Sequence, residues 1–267
     1  MADDPKRRAQ APRPGKTDDG VGALAARALS VVAGRSVEAR RSDPDPRLLD
    51  LLDAAARDAS RSAIREAVET LQDAGVRNEE IADLYIPRLA RRMGDRWCQD
   101  QMSFAEVTIG VSRLQSLLRD LGPEWRADAE AAPDAPAALV VVAMDDYHTL
   151  GAMILAGQLR RAGLSVRLKL GARPEDLARD LEEIAVDAVM VSASVGESLE
   201  TLRRLVKAAK DVNSRTPVVI GGTVLWDHED LPRLTGADWA TSDVSEALER
   251  CGLTISREGA KPSGPTG

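Results

Sequence analysis

Asp146 and His148 stand two residues apart, directly after the continuous apolar run Ala138–Met144. An imidazole with a carboxylate at that spacing has the makings of a metal ligand: the carboxylate accepts one ring N–H, fixes the tautomer and strengthens the other nitrogen as a donor. Thr149 and Gly151 follow at once. Two further segments of small residues come later, Ser192-Ala193-Ser194 and Gly221-Gly222, each closing another short apolar run. Small side chains at such points leave room for a slot, and paired glycines let a bulky planar group come close to the backbone. His228 is the chain's other histidine and lies in the acidic stretch Trp226-Asp227-His228-Glu229-Asp230. Cys98 and Cys251 are too few and too far apart for a disulfide framework or a thiolate zinc site.

These residues need a scaffold, and the hydrophobic pattern supplies one. From Ala138 onward, apolar runs alternate with amphipathic stretches: strands at 138–144, 165–170, 188–192, 217–221 and near Trp239, with helices at 148–162, 174–184 and 197–211 and a last one after Trp239. Alternation of this kind predicts a doubly wound parallel sheet, although the order of its strands is not legible. Ligands in such sheets sit outside the carboxyl ends of the strands, where all three segments fall.

The preceding stretch is different. Apolar residues recur every three or four positions in four segments. Leu48–Leu52 open the first, and Ile64, Val68 and Leu71 mark the second, which stops at Gly75. Ile81, Leu84, Tyr85, Leu89 and Met93 mark a third running to Trp97, where Pro87 predicts a kink. Ser103 and Glu106 form a capping-box pair at the start of the fourth, which carries Val107, Val111, Leu114 and Leu118. Four such helices with short connections make a bundle. The expected layout is a basic extension (1–46), a helical bundle cap (47–125), an Ala/Pro/acid linker, an α/β domain (137–252) and a polar tail (253–267).

Composition removes several function classes. The chain of 267 residues is 43% hydrophobic and 30% charged, enough for a substantial core, and has no apolar run long enough to span a membrane. Residues 1–47 hold ten Lys/Arg against seven Asp/Glu, so of the net −7 the remainder carries −10. An acidic body disfavours broad phosphate contact, and aromatics at 3% give little platform for stacking bases. Direct DNA binding has no helix-turn-helix signature or basic stripe behind it. No phosphate loop or nucleophile–base pair is evident. The chain reads as a soluble cytoplasmic protein that is not an enzyme.

The ordered pattern Asp146-x-His148-x-x-Gly151, Ser192-x-Ser194 and Gly221-Gly222 resembles the cobalamin-binding Rossmann-like domain. Forty residues separate the first two elements and 26 the last two, spacings similar to the family's. The resemblance implies that His148 is the lower axial ligand to cobalt and that Asp146 is its partner. Thr149, Gly151, Ser192, Ser194, Gly221 and Gly222 are then implied to line the place of the cofactor and its displaced nucleotide tail. The helical half, through Met93-Gly-Asp-Arg-Trp97 and Ser103-Phe-Ala-Glu106, looks like the cap of light-sensing cobalamin regulators, in which the Trp97 position lies against the upper ligand. Val107 and Thr108 stand where those regulators carry a Glu-His pair, which favours hydroxo- or methylcobalamin over the adenosyl form.

Phe104–Gln115 is more similar to the cobalamin-dependent antirepressors of purple-bacterial photosynthesis genes (AerR/PpaA type). That resemblance spans roughly residues 47–250 and implies a transcription repressor of photosynthesis genes as partner. A corrinoid carrier subunit of a methyltransferase system and a haem-binding sensor are the alternatives of the same fold.

Overall fold

The computed structural model describes residues 43–58, 60–125, 135–144 and 146–253. The expectations for the N-terminal extension up to residue 42, most of the linker and the C-terminal tail fall outside them.

Four helices come first. Helix α1 (Pro46–Arg57) is capped by the Asp45 carboxylate, and α2 (Arg61–Asp73) by the Ser60 hydroxyl. Gly75, at φ +87°, turns the chain into α3, as only glycine does without strain. Helix α3 starts as Asn78–Glu80, widens into a π-helical turn at Ile81–Tyr85 and continues as Ile86–Cys98. Pro87, where a kink was expected, follows directly on this wider turn. Proline lacks an N–H, and its ring crowds the carbonyl four residues back. The helix takes up the misfit upstream, where the Ile86 N–H bonds to the Ile81 carbonyl, five residues away. Helix α4 (Phe104–Leu121) opens with the full capping box, Ser103 and Glu106 each bonding the other's backbone N–H. The bundle core contains Leu52, Leu71, Ile81, Leu89, Met93, Leu114 and Leu118, all fully buried.

The α/β part has β1 (Ala137–Ala143), α5 (Thr149–Arg161), β2 (Ser165–Ala172), α6 (Pro174–Glu183), β3 (Ala188–Ser192), α7 (Leu199–Val212) and β4 (Val218–Gly221). A short helix α8 (Leu231–Thr235), β5 (Trp239–Ala240) and α9 (Val244–Arg250) complete it. All strand pairs are parallel, in the order β2-β1-β3-β4-β5. This is the flavodoxin-like arrangement, and its crevice opens between β1 and β3, where the winding reverses. The β1 pattern explains its place at the centre: Leu139, Val141 and Ala143 face one core, Val140 and Val142 the other. One face is covered by α6 and α7 through Leu177, Leu202 and Leu205, the other by α5 and α9 through Leu159 and Leu248.

Helix α5 belongs to two cores. Ala152, Ala156 and Leu159 pack on the sheet, while Leu150, Met153 and Ile154 enter the bundle core. Polar contacts join the same surfaces: Gln115 Nε2 donates to Thr149 Oγ1 (2.9 Å), and Arg161 Nη2 donates to Asp83 Oδ2 (2.6 Å). The helix that begins just after His148 is therefore attached to the bundle at both ends.

Candidate functional site

The turn after β1 positions the histidine. Asp146 is buried, and its Oδ1 accepts from the His148 backbone N–H (2.9 Å) and pairs with ring Nδ1 (3.0 Å). Its other oxygen, Oδ2, accepts from the Ser194 N–H (2.9 Å) beyond β3. One carboxylate thus joins the ends of the two strands that flank the crevice. Burial by itself raises the Asp146 pKa. Hydrogen bonds from the His148 ring, the His148 backbone and Ser194 outweigh it and hold the group below the ordinary 3.8. The bond to Asp146 does the reverse to His148, raising it above 6.5 against the cost of desolvation. With Nδ1 engaged, Nε2 is the nitrogen left to meet a ligand, on a side chain 77% exposed.

A cavity of about 250 Å³ lies between α5, α9 and the ends of β3 and β4. Gly151, Ile154, Leu155 and Gln158 line it from α5, Ser192, Gly221 and Gly222 from the strand ends, and Val244 and Ala247 from α9. A Cβ on Gly151 would come 4.0 Å from Ser192 Oγ, an ordinary contact, so the protein itself does not demand glycine there. Gly222 is different. Its φ is +104°, and a Cβ would lie 2.3 Å from the Ala193 carbonyl oxygen, so the chain needs glycine here with or without a ligand.

The structure brings together most of the residues singled out from the sequence. Asp146, His148 and the Ser194 N–H form one hydrogen-bonded group, and Gly151, Ser192, Gly221 and Gly222 share the cavity. Ser194 contributes its backbone to Asp146, and Thr149 is held by Gln115. Trp97, near the end of α3, is 49% exposed and tilted against Phe104 with ring centroids 6.1 Å apart.

Other residues were missed. Thr223 Oγ1 and the Asp227 carboxylate accept from the Val195 and Gly196 N–H groups, so the loop after β3 is pinned at three consecutive residues. The α5 wall was open to discovery, because residues 151, 154, 155 and 158 repeat at helical spacing from Gly151. Asp83 and Pro87 also line the cavity, from the bundle; the sequence marked Pro87 only as a kink and gave no sign of Asp83.

Comparison with known proteins agrees with this fold. Residues 136–250 match the B12 binding domain. An uncharacterized 20.5 kDa protein in the bchF-crtJ intergenic region of Rhodobacter capsulatus is 36% identical over 176 residues, which cover 66% of this chain and 92% of that protein. The chain belongs to this B12-binding family. A monomethylamine corrinoid protein from Methanosarcina barkeri has the same fold, with a TM-score of 0.61 over 78% of this chain and 95% of that one, at 16% identity.

The residues of this B12-binding protein fit the group. Among the described residues no cluster of three His, Cys, Asp or Glu side chains could hold a bare ion. His148 offers a single nitrogen donor, Nε2, which suits a metal that a macrocycle already holds. Large apolar side chains are exposed at the strand ends, Met144, Tyr147 and Val195, where a macrocycle would cover them. No helix among the described residues is long and apolar enough to cross a membrane.

Proposed function

We propose that this protein is a cobalamin-binding regulator without enzymatic activity of its own: a light- or cobalamin-responsive antirepressor of photosynthesis and tetrapyrrole genes that acts by binding a transcription repressor. The observation that carries the regulatory reading is the relative in the bchF-crtJ intergenic region, 92% of whose length this chain covers. Within that reading His148 holds the metal through Nε2, while Asp146 fixes the ring and keeps it from turning. When bound, cobalamin supplies a coloured metal centre whose upper ligand is exchangeable, favoured here in the hydroxo or methyl form.

The helical bundle is the element that responds. Gln115 holds Thr149, the residue after His148, so a shift of the histidine turn is felt by α4. Phe104, which begins α4, lies eleven residues before Gln115, about 16 Å along the helix axis. The same helix therefore links the histidine turn to the exposed Trp97–Phe104 pair. A change at the upper face can shift the bundle only by its different affinity for two arrangements of these residues.

The test is an absorbance spectrum of the full chain with hydroxo- and methylcobalamin, dark and illuminated, beside His148→Ala. Stoichiometric binding, a light-dependent spectral change altered in His148→Ala, and light-dependent capture of the repressor support the proposal. Methylcobalamin that is stable in light and demethylated by an acceptor-bound partner would instead make the protein a methyl carrier. Binding of haem with no corrinoid retained would overturn the cofactor.

A further inference from the structure

The turn after β3 is held from two sides. Ser194 to Glu197 form a β-turn, closed by the Glu197 N–H on the Ser194 carbonyl at 3.1 Å, with Gly196 at φ +84° as its third residue. Its first three N–H groups all go to side chains. Ser194 donates to Asp146 Oδ2 (2.9 Å), Val195 to Thr223 Oγ1 (2.9 Å) and Gly196 to Asp227 Oδ2 (3.2 Å). Asp146 belongs to the loop after β1, whereas Thr223 and Asp227 follow β4. The β4 end is itself fixed: the Ala193 N–H donates to the Gly221 carbonyl (2.9 Å), and the Val224 N–H donates to the Ala193 carbonyl (3.3 Å). Thr223 lies in the chain between these two contacts and is half-buried, while Asp227 is exposed. The shorter bond on the less exposed side chain makes Thr223 the firmer hold.

Resting on the reading of His148 as the lower ligand of a cobalamin, we infer that Thr223 is a positioning residue for that ligand. It fixes the Val195 N–H and so keeps the adjoining Ser194 N–H on Asp146 Oδ2. The anchored carboxylate in turn keeps Oδ1 on the His148 ring and backbone. Without Thr223 the turn can swing, Oδ2 loses its donor, and a carboxylate free at one end holds the ring less well. Thr223 need not touch the cofactor, and Asp227 supports the same turn one residue further on.

The experiment is a titration of the full chain with methylcobalamin, in the dark and by absorbance, with and without His148→Ala. Thr223→Val, which removes the acceptor and keeps the shape, is expected to weaken binding about fivefold, the worth of one neutral hydrogen bond. Thr223→Ser, which keeps the hydroxyl, should bind as the wild type does. Asp227→Ala, on the surface and harmless to the core, should show a smaller loss of about twofold. In the His148→Ala background both losses should vanish, because the effect passes through the histidine. If His148→Ala binds too weakly to titrate, Asp146→Asn, the link between them, replaces it with the same expectation. No loss in Thr223→Val would overturn the inference. So would equal losses in both backgrounds, because Thr223 would then act through Val195 against the corrin and not through the ring. Failure of the wild-type chain to bind methylcobalamin would overturn the cobalamin reading, and the inference with it.

Discussion

Asp146 holds His148 at two points, ring and backbone, with one oxygen, while its other oxygen holds the Ser194 N–H across the crevice. The strength of this arrangement depends on pH in a defined way. The folded pKa of Asp146 is lowered, so its share of stability is present above 3.8 and is lost as pH falls through the folded value. The folded pKa of His148 is raised, so its share is full below 6.5 and is lost as pH rises through the folded value. In the ligand-free chain, NMR titration of the His148 ring should give a midpoint above 6.5, and Asp146→Asn should bring it down. An unchanged midpoint in Asp146→Asn would show that the pair does not govern the ring. Because metal ligation requires the unprotonated ring, corrinoid affinity should weaken as pH drops through the same midpoint.

Gly151 makes a prediction of opposite signs for stability and for binding. A Cβ there meets nothing closer than 4.0 Å, and the residue lies in the first turn of α5. Alanine is better than glycine inside a helix by up to about 1 kcal/mol. Gly151→Ala should therefore raise the melting temperature of the ligand-free protein while weakening cobalamin, because the added methyl narrows the cavity. Stabilisation with full cobalamin affinity would mean that the guest does not approach this point.

Trp125 lies so close over Gly157 that a Cβ would stand 2.2 Å from its Nε1. The indole is buried, and the Arg161 guanidinium lies 4.8 Å from its ring centre. Gly157→Ala should destabilise the fold by about 1–3 kcal/mol, the usual range for overpacking. Denaturant melts of Gly157→Ala alone and combined with Trp125→Phe, which removes the indole N–H edge, should show that the two do not add. Additive effects would mean that this contact is not what attaches α5 to the bundle.

The sequence showed most of the architecture, because its elements are local. Val140 and its neighbours form a run long enough for a strand buried on both faces, and Ser103 with Glu106 marks a helix start unaided. The histidine turn was legible for the same reason: Asp146 and His148 lie two residues apart, so their pairing needs only one turn. What stayed hidden is long-range. Strand order depends on which helix covers which face, and no local spacing encodes it. Asp83 lines the cavity from a helix more than sixty residues before Gly151, within a π-helical turn that lies just before Pro87. Gly222 was noted for closeness to a ligand, whereas its own positive φ and the Ala193 carbonyl already require it.

Asp53 tests how the Trp97 end of the bundle is held. Its side chain on α1 is 3% exposed and accepts from Arg96 Nη1 at 2.6 Å and from Arg57 Nη2 at 3.4 Å. Arg96 immediately precedes Trp97, so this pair ties the last turn of α3 to α1. Breaking a fully buried pair by removing one partner costs about 3–5 kcal/mol. Both arginines here keep some contact with water, which places Asp53→Asn nearer about 2 kcal/mol after screening. The tie should matter more to the aromatic pair than to the sheet. Trp97 fluorescence, read against a Trp97→Phe background to subtract the other three tryptophans, should red-shift in Asp53→Asn at temperatures where far-ultraviolet circular dichroism is still native. An unaltered Trp97 signal with lowered global stability would show that Asp53 supports the bundle without setting the position of Trp97.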